Sequence, residues 1–247
     1  MKTATKIKPL IFTLEDLVHP QKNEPLKVGI MPNKTSGEGI SSENMWCAYN
    51  SILSACAQPQ LHILVAPEYA FFPSSGPLSA STVQKYLKSF KEASLDHGIL
   101  LLPGTFIWEK KGKLYNSCFA IYNGKIIYRY DKYHDGGEFT IARKYGLTPK
   151  YGQKLGLFEW ENLKLGLEIC ADSTLLFNHG IHDRDLLFFL SCGCYENSLK
   201  SSMGALNSQG YGVMAEGLLN KHLVIKAIGP GRSFQGKYLN PDPQKNH

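Results

Sequence analysis

From Leu26 onward, short apolar runs are separated by polar stretches bearing Gly and Pro, the pattern of strands alternating with helices. Residues 26–31 alternate and predict a first strand, closed by Pro32-Asn33 and a Gly/Ser stretch. Met45, Tyr49, Ile52, Leu53 and Cys56 recur at helical spacing. Residues 61–66 form an apolar run suited to a buried strand, and residues 99–102 form another. Between them, Ser81 and Gln84 fit a capping box opening a helix with Val83, Tyr86, Leu87 and Phe90 on one face. Residues 117–122 and 125–130 read as a hairpin turning at Asn123-Gly124. Leu163–Ile169 alternates as a strand, and residues 186–190 are apolar throughout, as a strand covered on both faces would be. His222–Ile228 reads as the last strand. The expected layout is an N-terminal extension over 1–25, packed loosely or poorly ordered, one α/β domain over 26–239, and a frayed polar tail over 240–247. Neither an internal repeat nor a linker interrupts it.

Composition narrows the classes. A chain of 247 residues with 43% apolar and 19% charged positions suits one globular domain and excludes a disordered chain. Nowhere do about 18 apolar residues run together, which argues against a membrane-spanning helix. Basic residues exceed acidic ones by 27 to 21, but they are scattered, and the densest groupings are pairs such as Lys110-Lys111 and Arg143-Lys144. Nucleic-acid binding needs that charge focused on one face, so no nucleic-acid partner is expected. Six cysteines are too few for a disulfide scaffold in so long a chain. The apolar stretch 9–12 behind Lys2, Lys6 and Lys8 is too short for a signal-peptide core. A reducing, cytoplasmic setting is the expectation.

Three segments set a reactive side chain just past a buried strand, where ligands gather in open α/β sheets. They are Leu64-Val65-Ala66-Pro67-Glu68-Tyr69, Tyr128-Arg129-Tyr130-Asp131-Lys132-Tyr133-His134, and Gly166-Leu167-Glu168-Ile169-Cys170-Ala171-Asp172. Singly each is weak: a Pro-Glu is commonly a turn, a loop Lys commonly solvated, and a Cys ending an apolar strand commonly core. In this order, with Tyr115-Asn116-Ser117 ahead of the lysine segment and Arg184-Asp185-Leu186-Leu187-Phe188-Phe189 after the cysteine, they resemble the nitrilase superfamily of carbon–nitrogen hydrolases over residues 26–235.

The resemblance implies a four-layer α-β-β-α sandwich. It also implies cleavage of a non-peptide carbon–nitrogen bond, a small linear amide before a nitrile, through a cysteine thioester. Cys170 would be the nucleophile, Glu68 the general base and acid, and Lys132 the oxyanion stabiliser, with the Ala171 N–H as second donor. An ammonium beside the sulfur would favour the thiolate, and Lys132 would then hold the oxygen's developing charge. Glu138 resembles a second glutamate that orients the lysine or the substrate amine; a solvated loop carboxylate is the equal alternative. Tyr69, Phe72, Tyr133, His134, Cys194 and Tyr195 are the expected substrate contacts, although Tyr69, Phe71 and Phe72 read equally well as core. The chemistry requires no cofactor and no metal. Cys192-Gly193-Cys194 reads as a strand end lining the pocket and not as zinc ligands, and His179, His182 and Asp183 as a solvated loop.

Departures from the family pattern bear on substrate and assembly. No Pro-Glu follows the nucleophile segment, residues 198–208 match the family's helix poorly, and little chain follows Ser233. A homodimer is therefore an open expectation. Three other readings stay open: acyl transfer through the same thioester, a lapsed scaffold that only binds, and a papain-like pairing of Cys170 with His222.

Overall fold

The computed structural model describes residues 7–219 and 221–228, together with the backbone of 233–239. Two sheets form the centre. The first holds β1 (Leu10–Val18), β2 (Pro25–Ile30), β3 (Ile63–Val65), β4 (Leu78–Ser79), β5 (Leu100–Leu102), β6 (Thr105–Lys110), β7 (Lys113–Tyr122), β8 (Lys125–Asp131) and β9 (Thr148–Pro149). Its order is β1-β2-β3-β5-β7-β6-β4, with β8 and β9 also pairing β7. The second runs β10 (Leu157–Trp160), β11 (Leu163–Ile169), β12 (Arg184–Ser191), β13 (Leu206–Glu216), β14 (His222–Ile228) and β15 (Ser233–Leu239) in chain order. The helices are α1 (Ser42–Cys56), α2 (Ala80–His97), α3 (Glu138–Lys144), α4 (Leu175–Asn178) and α5 (Glu196–Ser202).

Strand periodicity explains the layering. Because successive side chains point to opposite faces, Leu26, Val28, Ile30, Ile63, Val65, Leu100 and Leu102 join Leu165, Leu167, Ile169, Leu186, Phe188 and Leu190 in one core between the sheets. The alternate positions Leu64 and Leu101 pack with Ile52, Leu87 and Phe90 of α1 and α2. Leu187 and Phe189 pack with Leu176 of α4 and Leu199 of α5. Apolar residues on both faces are what a doubly covered strand needs. The result is the expected four-layer α-β-β-α sandwich. Among the described residues no helix is long and apolar enough to cross a membrane.

Several elements differ from the expectation. Within residues 1–25, β1 is an edge strand paired antiparallel with β2, and Leu14 is fully buried. The capping box at Ser81 does not form: Ser79 caps α2, its hydroxyl accepting from the Thr82 N–H at 3.2 Å. His222–Ile228 is not the last strand, because β15 pairs with it along its length. Strands β6, β10 and β13 also add to the reading. The frayed tail over 240–247 lies outside the described residues.

Candidate active site

The loaded positions follow strand ends. Glu68 comes three residues after β3, Lys132 directly after β8, and Cys170 directly after β11. Parallel pairing of β2, β3 and β5, and of β11, β12 and β13, aligns the ends that carry Glu68 and Cys170. β8, antiparallel to β7, which is itself antiparallel to β5, runs the same way as β5 to its end at Lys132.

The charged groups form a buried cluster. Lys132 Nζ donates to Glu68 Oε1 at 2.8 Å and to Glu138 Oε1 at 2.9 Å. Asn116 Nδ2, from β7, donates to the same two oxygens at 3.0 and 2.9 Å. The Tyr69 hydroxyl donates to Glu138 Oε1 at 3.1 Å, and the Gly136 N–H to Glu138 Oε2 at 2.7 Å. Glu68, Lys132 and Glu138 are all buried. Of the two readings of Glu138, the solvated loop carboxylate is therefore the one the structure overturns. A Cβ on Gly136 would lie 2.5 Å from Lys132 Nζ and 3.2 Å from the Ala171 Cβ. Only a glycine lets this backbone come so close to the ammonium.

Two carboxylates share one ammonium here. Burial alone would push the Lys132 ammonium down, but Glu68 and Glu138 outweigh it and hold it above its ordinary value. Burial pushes the Glu68 carboxyl well above the carboxylate range, with Cys170 and Glu138 adding to the rise and Lys132 opposing it. Glu68 Oε2 is buried and has no hydrogen-bond partner.

Cys170 opens a short 3-10 turn, Cys170–Asp172, with φ at +48°. Such a backbone is uncommon outside glycine and turns the chain sharply at the strand end. Cys170 is half-buried and lies within electrostatic reach of both Lys132 and Glu68. Its Sγ is 3.4 Å from Cys194 Sγ. The bond to Cys194 and then burial push the Cys170 thiol up, while Lys132 pulls it down without prevailing. The ammonium already faces two carboxylates, so a thiolate would be a third anion around one cation.

Asp172 ties the Cys170 turn to the lysine segment. Its carboxylate accepts from the Tyr130 hydroxyl at 2.7 Å, the Tyr133 N–H at 3.0 Å and the His134 N–H at 2.7 Å. Glu216 ties the loop after β12 to the turn after β13, accepting from the N–H groups of Gly193 (2.6 Å) in the first and of Leu218 (3.0 Å) and Leu219 in the second. Sequence reasoning gave no role to Asn116, Asp172 or Glu216, although the first two lie inside the segments it singled out.

The expected substrate contacts divide. Tyr69 reaches the cluster through its hydroxyl, and Cys194 lies against Cys170. Phe72, with Ile107, Leu114 and Ile141, is core beneath the site, and Phe71 is core against Phe106. Tyr133 is half-buried, whereas His134 and Tyr195 are exposed. His222 is buried, its Nδ1 accepts from the Glu216 N–H at 3.2 Å, and burial lowers its pKa to about 4. A neutral ring already bonded to β13 is a poor partner for a cysteine. His179 and His182 bond the carbonyls of Leu175 and Gly204, and Asp183 pairs with Lys164 and Arg184.

The two-sheet sandwich thus brings Glu68, Lys132 and Cys170 to neighbouring strand ends. The family model described as carbon–nitrogen hydrolase matches residues 41–227, and the chain belongs to that family. Its fold is similar to that of Saccharomyces cerevisiae Nit3, a member of branch 10 of the nitrilase superfamily, at 18% identity and a TM-score of 0.58, covering 87% of this chain and 90% of that one. An amidase from Nesterenkonia sp. matches at 15% identity and a TM-score of 0.59, covering 86% and 88%. A glutamine-dependent NAD+ synthetase from Acinetobacter baumannii matches at 13% identity and a TM-score of 0.59, covering 88% of this chain and 46% of that one. No curated protein matches the sequence significantly.

Proposed function

We propose that the protein hydrolyses a small linear amide through a thioester on Cys170. The observation that carries this reading is the arrangement at Glu68: one carboxylate oxygen is held by Lys132 at 2.8 Å, while the other is buried and unpartnered. A carboxylate with one oxygen fixed and the other free is equipped to move a proton. Because the resting sulfur is a thiol, attack on the amide carbonyl is coupled to proton transfer from Cys170 to Glu68. The raised pKa of Glu68 makes it a better acceptor than an ordinary carboxylate. Lys132 and the Ala171 N–H hold the carbonyl oxygen as its charge develops. Glu68 then protonates the departing amine, takes a proton from water so that the hydroxide formed cleaves the thioester, and returns that proton to the departing Cys170 sulfur. Glu138 keeps Lys132 in place throughout, and Tyr69 and Asn116 hold Glu138. The free cysteines suit a reducing compartment, and we place this chemistry in the cytoplasm.

The test is ammonia release from a panel of short linear amides and nitriles, with Cys170→Ala as the blank. Ammonia from an amide, absent in the blank, is the expected result. Release that survives Cys170→Ala, or none from any substrate, overturns the reading; the latter favours the lapsed scaffold.

A further inference from the structure

β11 and β12 are parallel neighbours, with Ile169 opposite Leu190, so the residues leaving their ends emerge together. Cys170 opens one exit and Cys194 lies on the other, in the loop between Ser191 and Glu196. Gly193 just before it has φ at +96°, which bends the loop back. The two Sγ atoms are 3.4 Å apart, each half-buried, and neither is disulfide-bonded. We propose that Cys170 and Cys194 form a reversible disulfide when the protein meets a peroxide, and that Cys194 protects the nucleophile from irreversible oxidation.

The steps balance. One thiol attacks the peroxide O–O bond, giving a sulfenic acid and water. The second sulfur displaces that hydroxyl as water, forming the S–S bond. Together the two thiols lose two protons and two electrons, and hydrogen peroxide becomes two waters. A dithiol returns both hydrogens and restores the pair. Closure asks the sulfurs to approach to about 2 Å, a shift asked of the irregular loop between β12 and α5, which bends at Gly193 and is held there by Glu216. The contact with Cys170 lowers the Cys194 pKa from its ordinary value, which favours Cys194 as the attacking sulfur. Without Cys194, the sulfenic acid of Cys170 stays open to further oxidation to sulfinic and sulfonic acids. The loss of turnover on closure rests on Cys170 being the nucleophile; the bond itself does not.

The experiment treats the folded full-length protein with hydrogen peroxide and reads two things. Non-reducing peptide mapping identifies the linkage, with fragmentation assigning Cys192 or Cys194. Turnover is followed before and after dithiothreitol, each variant normalised to its own starting rate. Wild type should yield a Cys170–Cys194 peptide lighter by two hydrogens, lose its turnover in step with that peptide, and regain it with dithiothreitol. Cys194→Ser should yield no such peptide, accumulate sulfinic and sulfonic Cys170, and fail to recover. Absence of the linked peptide in wild type, or equal recovery in Cys194→Ser, overturns the proposal. A linked peptide in a protein that cleaves no amide upholds the disulfide and sinks only the hydrolase reading. Amide cleavage without the linked peptide does the reverse.

Discussion

The two sheets contribute unlike walls to the site. The wall from the first sheet is charged, buried and multiply bonded: Glu68, Asn116, Lys132, Glu138 and Tyr69 hold one another through side-chain hydrogen bonds. The wall from the second sheet carries sulfur. Cys170, Cys192 and Cys194 are half-buried on a turn and a loop, and one S–S contact joins two of them. The contrast has a physical basis. Buried charges cost several kcal/mol each unless their partners are fixed, whereas a nucleophile must be reached by its substrate and must advance on it.

Breaking each wall in turn should therefore give different outcomes. Lys132→Met leaves Glu68 and Glu138 buried without their cation, and we expect a stability loss of about 3–5 kcal/mol in denaturant unfolding. Turnover should fall by at least about a thousandfold with it. Cys170→Ala should lose turnover on the order of a millionfold while costing only about 1 kcal/mol in the same unfolding assay. Comparable stability losses in both variants would erase the distinction between the walls.

The second sheet treats a buried carboxylate differently. Glu168, two residues before Cys170 on β11, has no cation beside it: Oε1 accepts from the Leu176 N–H at 2.9 Å, and Oε2 has no partner. Burial raises its pKa from 4.5 to about 7. The folded state thus keeps a proton that the unfolded chain releases. The group's contribution is fully present below pH 4.5 and is lost as the pH rises through 7. Glu168→Gln keeps the Oε1 acceptor and removes the titration. Unfolding curves at acid and mildly alkaline pH should show the variant gaining up to about 3 kcal/mol relative to wild type on the alkaline side.

How much of this the sequence carried depended on whether the signal was local. The β7–β8 hairpin was legible because Asn123-Gly124 accepts positive φ at both turn positions. Glu68, Lys132 and Cys170 were legible because each sits in a short segment ending a strand. β1 was not, because a register shift between Leu14 and Val18 breaks its alternation. β13 was hidden by Asn207-Ser208-Gln209-Gly210 and by Gly212, glycines that weaken a strand pattern. At Gly212 a Cβ would lie 2.5 Å from Met203 Sδ, so helix packing sets that residue. Asn116 and Asp172 escaped for another reason: their partners Glu68 and Tyr130 lie 48 and 42 residues away, and only the closed fold pairs them.

Gly136 probes the seam between the walls, since an added Cβ would crowd both Lys132 and Ala171. We expect Gly136→Ala to cost about 1–3 kcal/mol through overpacking. Displacing the ammonium by a fraction of an ångström to an ångström should lower turnover by up to about a hundredfold. Cys170 alkylation by iodoacetamide should be little changed, because the sulfur stands on the other wall.

The finest test removes charge from the charged wall while keeping the bonds to the Glu138 Oε1 position, at the loss of the Gly136 N–H bond to Oε2, since an amide NH2 cannot accept. Glu138→Gln keeps an Oε1 acceptor for Lys132, Asn116 and Tyr69 but deletes one negative charge. Glu138 is one of the groups that raise the Glu68 pKa, so without it Glu68 ionises at lower pH. Glu68 must be ionised to take the thiol proton, and protonating it as the pH falls stops the reaction. In wild type the acid limb of kcat/KM should therefore lie above the ordinary carboxylate range. In Glu138→Gln it should move down by no more than about one pH unit. A limb that stays put would mean that burial alone sets Glu68, and a limb that moves up would mean that the two carboxylates are not sharing the ammonium.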